Sequence, residues 1–243
     1  MVWILAVDTS SPGGAVALVR DDAVVVDCAG DPAHSHAERL PAAIADVLAV
    51  AGLAATAIDL FAVACGPGAF TGLRVGLATV QGLALALDRP TAGVSSLAAV
   101  AWRAFDATPA LTTCGVWLDG ARGDVFAAAY ERPTGADTSW PPVEITAATV
   151  ATPAETLRQW QAVVPADAPL LLGPGGSRHR AAAESRRVVV AETPLAAAVG
   201  RIGGRLHAAG QTTPPHGLAP VYVRRPDAEV ERDRRRAAGA TAG

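Results

Sequence analysis

Apolar positions in the first thirty residues come in short runs broken by polar or glycine-bearing turns. Trp3-Ile4-Leu5-Ala6-Val7-Asp8 reads as a strand, residues 10–14 as a turn and residues 15–20 as a second strand. Asp21-Asp22 makes a tight turn before a third strand over 23–28. The period then changes. Over residues 36–51, Leu40, Ile44, Val47, Leu48 and Ala51 fall on one stripe at helical spacing, the face that packs on a sheet. A strand over 60–64, a helix over 72–87, a strand over 91–94 and a helix over 96–105 follow.

Three antiparallel strands followed by β-α-β-α is the order of a ribonuclease-H-like half. A second half starts in the same way. Gly115-Val116-Trp117-Leu118-Asp119, then Gly123-Asp124-Val125-Phe126-Ala127, echoes Ile4-Leu5-Ala6-Val7-Asp8, then Gly13-Gly14-Ala15-Val16-Ala17. In both, a strand ends on Asp, turns through Gly and returns as a strand, the mark of a duplicated lobe. Residues 132–142 read as a loop. A helix over 153–163, a strand over 170–172, a turn over 173–176, a strand over 188–191 and a helix over 195–209 complete the second half. The expected fold is α/β, with two ribonuclease-H-like lobes over 1–108 and 109–226, the second reduced. Residues 227–243 are charged, rich in Ala and Gly and aperiodic, so they read as a disordered tail.

Between the strand at 60–64 and the helix at 72–87 lies Gly66-Pro67-Gly68-Ala69-Phe70-Thr71-Gly72-Leu73-Arg74-Val75-Gly76. Gly-Pro-Gly breaks the strand, and Thr71 is placed to cap the helix. A glycine turn at a helix start suggests an anion site. Phe70, and a helix apolar almost all round, suggest instead a protein partner. On that helix Arg74, Gln81 and Asp88 form one narrow polar stripe seven residues apart; one sheet cannot cover the remaining circumference. On the helix over 36–51, Ala42, Ala45 and Ala49 form a small-residue ridge beside Glu38 and Asp46. That ridge is either a solvated alanine-rich face or a seat for another helix. Burying such surfaces yields about 25 cal/mol per Å² of apolar area, and the two helices together are expected to dock on another chain.

Composition removes several alternatives. The chain has 243 residues and a net charge of −3, unlike a dedicated nucleic-acid binder. All 20 basic residues are Arg, which excludes a Walker lysine, a Schiff-base lysine and a lysine general base. Cys28, Cys65 and Cys114 are isolated, so neither a zinc site nor a disulfide framework is expected, and reducing cytosol is the default. The apolar N-terminus reaches Asp8 without a basic flank and reads as a strand, not a signal peptide. The stretch 75–87 is too short to span a bilayer and contains Gln81. A cytoplasmic protein without membrane contact is expected.

The candidate chemistry leaves two readings open. Asp8, before Thr9 and Ser10, either holds Mg²⁺ through water beside a phosphate-facing hairpin or simply caps a turn; Asp119 is its counterpart. Gly175 and Gly176, in Gly173-Pro174-Gly175-Gly176, either approach an adenosine or form a plain turn. Asp8, Thr9, Ser10, Asp119, Gly175 and Gly176 thus make a candidate nucleotide cleft, and with it an alternative identity as a self-sufficient ATPase or phosphotransferase. A ribonuclease-H-type nuclease needs three or four converging carboxylates, and only Asp8 is placed. His34 and His36 with Glu38 could suggest a metal, but residues two apart on a helix diverge; His179, His207 and His216 are scattered. No metal site is expected.

Asp8-Thr9-Ser10, the whole 66–76 motif, Gln81-Gly82-Leu83-Ala84, Gly93-Val94-Ser95-Ser96-Leu97 and Pro220-Val221-Tyr222-Val223-Arg224 together resemble the bacterial TsaB family of tRNA threonylcarbamoyladenosine biosynthesis proteins. The resemblance spans about residues 2 to 225 and is strongest in the first half. Phe126 departs from it, standing where the family commonly has Tyr. It implies an actin-like two-lobe fold and a role as partner of a catalytic paralogue, TsaD, which transfers a threonylcarbamoyl group to tRNA. A third, ATP-hydrolysing subunit, TsaE, drives turnover, so ATP and Mg²⁺ serve the complex and no cofactor is expected on this chain. The paralogue's metal-binding His-x-x-x-His pair falls, by resemblance, on Ser96 and Val100, and neither residue replaces imidazole. The chain is therefore expected to be no enzyme. The resemblance puts the partner surface on the two helices: Ala42, Ala45 and Ala49 on one, and Phe70, Thr71, Leu73, Arg74, Gly76, Leu77, Ala78, Gln81 and Gly82 on the other. A homodimer is expected when the chain is alone. Contact with tRNA runs through the complex, unless Arg232, Arg234, Arg235 and Arg236 in the tail touch it; otherwise they are a solvated tail. Peptidase chemistry, a label attached to the family, finds no residues here.

Overall fold

The structure, a computed structural model, describes residues 1–133, 141–183, 186–191 and 194–224. The first five strands are β1 (Trp3–Asp8), β2 (Ala15–Arg20), β3 (Ala23–Ala29), β4 (Leu60–Gly66) and β5 (Thr91–Ser95). They form one sheet in the order β3-β2-β1-β4-β5. β1 runs antiparallel to β2 and parallel to β4. The helices of this half are α1 (His36–Val50), α2 (Phe70–Leu87) and α3 (Ser96–Ala107).

The second sheet repeats the plan. Its strands are β6 (Thr113–Asp119), β7 (Val125–Glu131), β8 (Val143–Ala151), β9 (Leu170–Leu172) and β10 (Val188–Val190), with α4 (Pro153–Trp160) after β8 and α5 (Ala196–Ala208) after β10. The order β8-β7-β6-β9-β10 is that of the first sheet, strand for strand. Asp8 and Asp119 end the equivalent central strands, facing Ala15 and Val125 in register. This is the duplicated ribonuclease-H-like α/β architecture expected from the sequence, one sheet plan used twice. The second copy is reduced: β9 and β10 have three residues each, and a 3-10 segment, Gly176–Ala183, stands where α2 stands in the first.

Three layers of core hold the fold. Leu40, Ile44, Val47 and Leu48 of α1 and Leu77, Val80 and Ala84 of α2 pack on Leu5, Val7, Phe61 and Val63, covering one face of the first sheet. Between the sheets lie α3 and α5, crossed with respect to their positions in the chain. α5 packs on β1, β2 and β4, whereas α3 reaches β6, β7 and β9. Glycines let α5 approach closely: a Cβ on Gly200 would lie 2.8 Å from Val19 Cγ2, and one on Gly203 would lie 2.7 Å from Ala62 Cβ. Under α4, Leu157 and Trp160 pack on Trp117 and Leu172.

Several expectations change. α2 begins at Phe70 with Ala69 at the N-cap position and no side-chain cap, so Thr71 lies inside the first turn and does not cap it. α4 ends at Trp160 rather than 163. β8 and the 3-10 segment have no counterpart in the sequence pattern. The helix at 36–51 is capped by Ser35, whose side chain accepts from the Glu38 amide while Glu38 accepts from the Ser35 amide at 3.0 Å. Glu38 is thereby spent on a capping box and His34 pairs with Asp31 at 3.3 Å; among the described residues no group of three metal-ligating side chains forms. α2 has 18 residues, longer than the 75–87 stretch, and is long and apolar enough to cross a membrane by length and composition, yet one side of it is buried on the sheet. Most of the loop at 132–142, and the tail at 227–243 with its four arginines, lie outside the described residues.

Candidate docking face and interlobe cleft

α1 and α2 lie side by side on the first sheet, and each divides its circumference in the same way. α1 buries its Leu40-Ile44-Val47-Leu48 stripe and exposes Ala42, Ala45, Asp46, Ala49 and Val50. α2 buries Gly72, Leu73, Gly76, Leu77, Val80 and Ala84 and exposes Thr71, Arg74, Ala78, Gly82, Leu85 and Ala86. Leu85 is 71% exposed. The outward strip from Ala78 through Gly82 to Ala86 is made of small or apolar residues, and a Cβ on Gly82 would meet nothing within 4 Å.

This narrows the expected partner surface. Leu77, 4% exposed, packs in the sheet core, and Leu73, 1% exposed, is buried beside the interlobe cleft, so neither belongs to the outward face. Gly76 is likewise internal, because the turn after β1 crosses α2 there: a Cβ would stand 2.2 Å from Thr9 Oγ1. Gln81 is half-buried, and its amide donates to the carbonyls of Pro215 and Leu218 at 3.0 and 2.9 Å. The polar stripe of α2 thus holds a strap formed by the end of the described chain. The strap continues with the Val221 amide donating to the Cys65 carbonyl at 2.8 Å and the Arg74 Nε donating to the Tyr222 hydroxyl at 3.0 Å. Part of the circumference that one sheet could not cover is covered by this strap; the Ala78–Ala86 side is not.

Between the lobes lies a cleft of about 590 Å³, lined by Ser10, Gly68, Phe70, Leu118, Asp119, Gly175, Arg178, Tyr222 and Arg224 among others. Of the residues expected around a nucleotide, Ser10, Asp119 and Gly175 do line it. Asp8, Thr9 and Gly176 do not. Asp8 is buried behind the hairpin, accepts from the Ser10 amide at 2.9 Å and faces His36. Burial pushes its carboxyl above the usual carboxylate range, against the opposing pull of the Ser10 hydrogen bonds and the His36 charge. The Thr9 hydroxyl is turned to α2 and is buried without a hydrogen-bond partner. Gly176 is packed under the Trp117 carbonyl, where a Cβ would come within 2.8 Å.

Asp119 is accessible to the cleft but already engaged. Arg178 Nη1 lies 2.9 Å from one carboxylate oxygen, His179 Nε2 lies 3.1 Å from the other, and the Ala121 amide donates at 3.2 Å. Arg224 pairs with Asp124. Both arginines lining the cleft are therefore neutralised, and the walls are otherwise rich in Pro, Phe, Leu and Val. Ser10 and Asp119 are the residues that could meet a metal-bound phosphate, and Asp119 would first have to release two partners. Sequence reasoning missed Arg178, His179 and the seat of Tyr222. Only the Pro220–Arg224 motif, quoted for its resemblance, pointed toward the strap.

The family model for TsaD, tRNA N6-adenosine threonylcarbamoyltransferase, matches residues 31–150. The tRNA threonylcarbamoyladenosine biosynthesis protein TsaB of Escherichia coli is 37% identical over 132 residues, 53% of this chain and 55% of that protein. The match thus spans about half the length of that curated relative. An uncharacterized protein of Mycobacterium tuberculosis is 32% identical over 228 residues, 93% of each chain. Among solved structures, YeaZ from Pseudomonas aeruginosa superposes with a TM-score of 0.76 at 29% identity, covering 91% of this chain and 100% of that one. With the 66–76 motif on the α2 turn and two sheets of like order beneath it, the chain belongs to the TsaB (YeaZ) family of tRNA threonylcarbamoyladenosine biosynthesis proteins.

Proposed function

We propose that this chain is the non-catalytic partner subunit of the tRNA N6-threonylcarbamoyladenosine synthesis machinery, and that it binds and activates a TsaD-type transferase through the outward face of α1 and α2. The carrying observation is the uncovered strip of small residues, Ala42, Ala45 and Ala49 beside Ala78, Gly82 and Ala86. Small residues let a facing helix approach closely, and a wet apolar strip of this kind gains free energy by being covered. Ser96 and Val100, which stand at the positions of the paralogue's histidine pair, are both 0% exposed inside the interlobe core. Such positions offer a metal neither a ligand nor an approach, which supports a subunit that acts by docking. TsaE and tRNA would meet this chain only within the complex, in the cytoplasm, and two copies would pair through the same face when no transferase is present.

The test is assembly. Ala78 is exposed and Gly82 has open space around its Cβ position, so Ala78→Arg and Gly82→Arg should leave the fold intact. Each is expected to abolish co-elution with the transferase in gel filtration, because a guanidinium is forced into a dry interface without a partner. An intact complex with either variant would refute the assignment. A self-sufficient ATPase or phosphotransferase remains the second reading, favoured by Ser10, Asp119 and Gly175 sharing one cleft. Calorimetry of the isolated chain with ATP and Mg²⁺ separates the two: micromolar binding lost in Asp119→Ala would support the second.

A further inference from the structure

At the N-terminal end of α2, an exposed cation is held in an aromatic seat. The Arg74 guanidinium lies 4.0 Å from the centre of the Phe70 ring. Its Nε donates to the Tyr222 hydroxyl, and Tyr222 stacks on Phe70 with ring centres 5.2 Å apart and planes 29° apart. Tyr222 is in turn brought there by the strap, through Gln81 and the Cys65 carbonyl. Arg74 is exposed, and no carboxylate pairs with it among the described residues. Arg178, Arg201, Arg205 and Arg224, by contrast, each pair with an aspartate.

We infer that Arg74 is a specificity anchor of the docking face, held flat by Phe70 and Tyr222 to take a carboxylate of the partner protein end-on, through its two terminal nitrogens. The inference rests on the docking reading above. A guanidinium whose Nε is already spent keeps the Nη1 and Nη2 donors, whose spacing matches the two oxygens of a carboxylate. Stacking on an aromatic ring and bonding to a hydroxyl restrict its rotamers before binding, so less entropy is lost when the pair forms. Arg and Tyr are the residue types in which binding energy concentrates at protein interfaces. The setting decides between a carboxylate and a nucleic-acid phosphate. Arg74 borders the uncharged strip of Ala78, Gly82 and Leu85, and the cleft arginines on its other side are tied to aspartates. A phosphate backbone would call for several free cations in a row; a single forked cation beside an apolar strip suits one acidic side chain within a protein interface.

Calorimetric titration of the full chain with the purified transferase subunit, at low and at high salt, tests this. Arg74→Ala is expected to weaken binding about 10-fold or more and to flatten its salt dependence. Arg74→Lys, which keeps the charge and not the fork, should recover only part of the loss. Tyr222→Phe keeps the stacking but loses the hydroxyl, and should weaken binding by less, about 3-fold. Wild-type affinity and salt dependence in Arg74→Ala, with Ala78→Arg unable to bind, would overturn the anchor and leave the docking reading standing. Full recovery by Arg74→Lys would overturn the forked geometry. Wild-type binding by Ala78→Arg would overturn the docking reading, and the anchor with it. An Arg74→Ala complex that assembles at wild-type affinity but holds tRNA less tightly would also overturn it, in favour of a phosphate.

Discussion

Asp8 is the residue for which the sequence leaves open a magnesium-holding acid or a plain turn cap, and its carboxyl is enclosed. It ends a strand buried from Ile4 onward, bonded by the Ser10 amide and hydroxyl and felt by His36. Desolvation raises its folded pKa above the unfolded value. His36 opposes this only in part, since its own burial and the adjacent Arg39 hold its pKa below the usual histidine range. The sign of the linkage follows. A carboxyl that binds its proton more tightly in the folded chain contributes stability that is fully present below the unfolded pKa and is lost as pH rises through the folded pKa. Asp8→Asn keeps the acceptor oxygen for the Ser10 amide while removing the buried charge. It is expected to raise Tm at neutral pH by about 2–4 °C, the shift that about 1 kcal/mol gives a chain of this size, and the gain should shrink toward pH 4. Thermal denaturation followed across that range checks this, and a lower Tm for Asp8→Asn at neutral pH would contradict it.

α2 shows how one helix serves three neighbours. Its glycines have opposite reasons to exist. Gly76 faces inward, where a Cβ would collide with Thr9 Oγ1; Gly82 faces outward, where a Cβ meets nothing. Replacing helix-interior Gly by Ala gains about 0.5–1 kcal/mol from backbone entropy alone. At Gly82 nothing opposes that gain, so Gly82→Ala is expected to stabilise the isolated chain. At Gly76 the overpacking cost, about 1–3 kcal/mol, exceeds it, and Gly76→Ala is expected to destabilise. Urea melts of the two variants should move in opposite directions. Periodicity made the two helices and their buried stripes legible, because a long apolar stripe at helical spacing has few other homes. It could not say which side of an all-apolar helix faces water. The resemblance therefore puts the buried Leu73 and Leu77 on the partner surface, and Gln81 too, whose role depends on carbonyls more than 130 residues away. β8 escaped notice for a related reason. Its sequence, VEITAATVA, lacks a clean alternation, and its pairing with β7 is interrupted by register shifts around Ala129. In the cleft, Asp119 and Gly175 were legible from the repeat and the glycine turn, whereas Arg178 and Tyr222 arrive through contacts that no local pattern encodes.

At the scale of the molecule, the two like-ordered sheets are tied by the exchange of helices. The first sheet receives α1 and α2 on one face from its own half, but its other face is covered by α5, from the far end of the chain. α3, made in the first half, packs against the second sheet. Many of the residues that α5 covers are small, Ala6, Ala17, Ala62 and Ala92 among them, and Gly200 and Gly203 bring the helix close to them. Small residues gain little by burial individually, so the contact depends on close approach over the whole helix. Neither sheet keeps both layers if the chain is divided between α3 and β6. Heat should therefore melt the protein in a single transition, with calorimetric and van't Hoff enthalpies in agreement. Gly203→Val, which pushes α5 off Ala62, is expected to cost about 1–3 kcal/mol and to lower that single transition without splitting it. Two separate transitions in scanning calorimetry, in either the parent chain or the variant, would show that the halves are held together only by their linker and that the shared helical layer does not couple them.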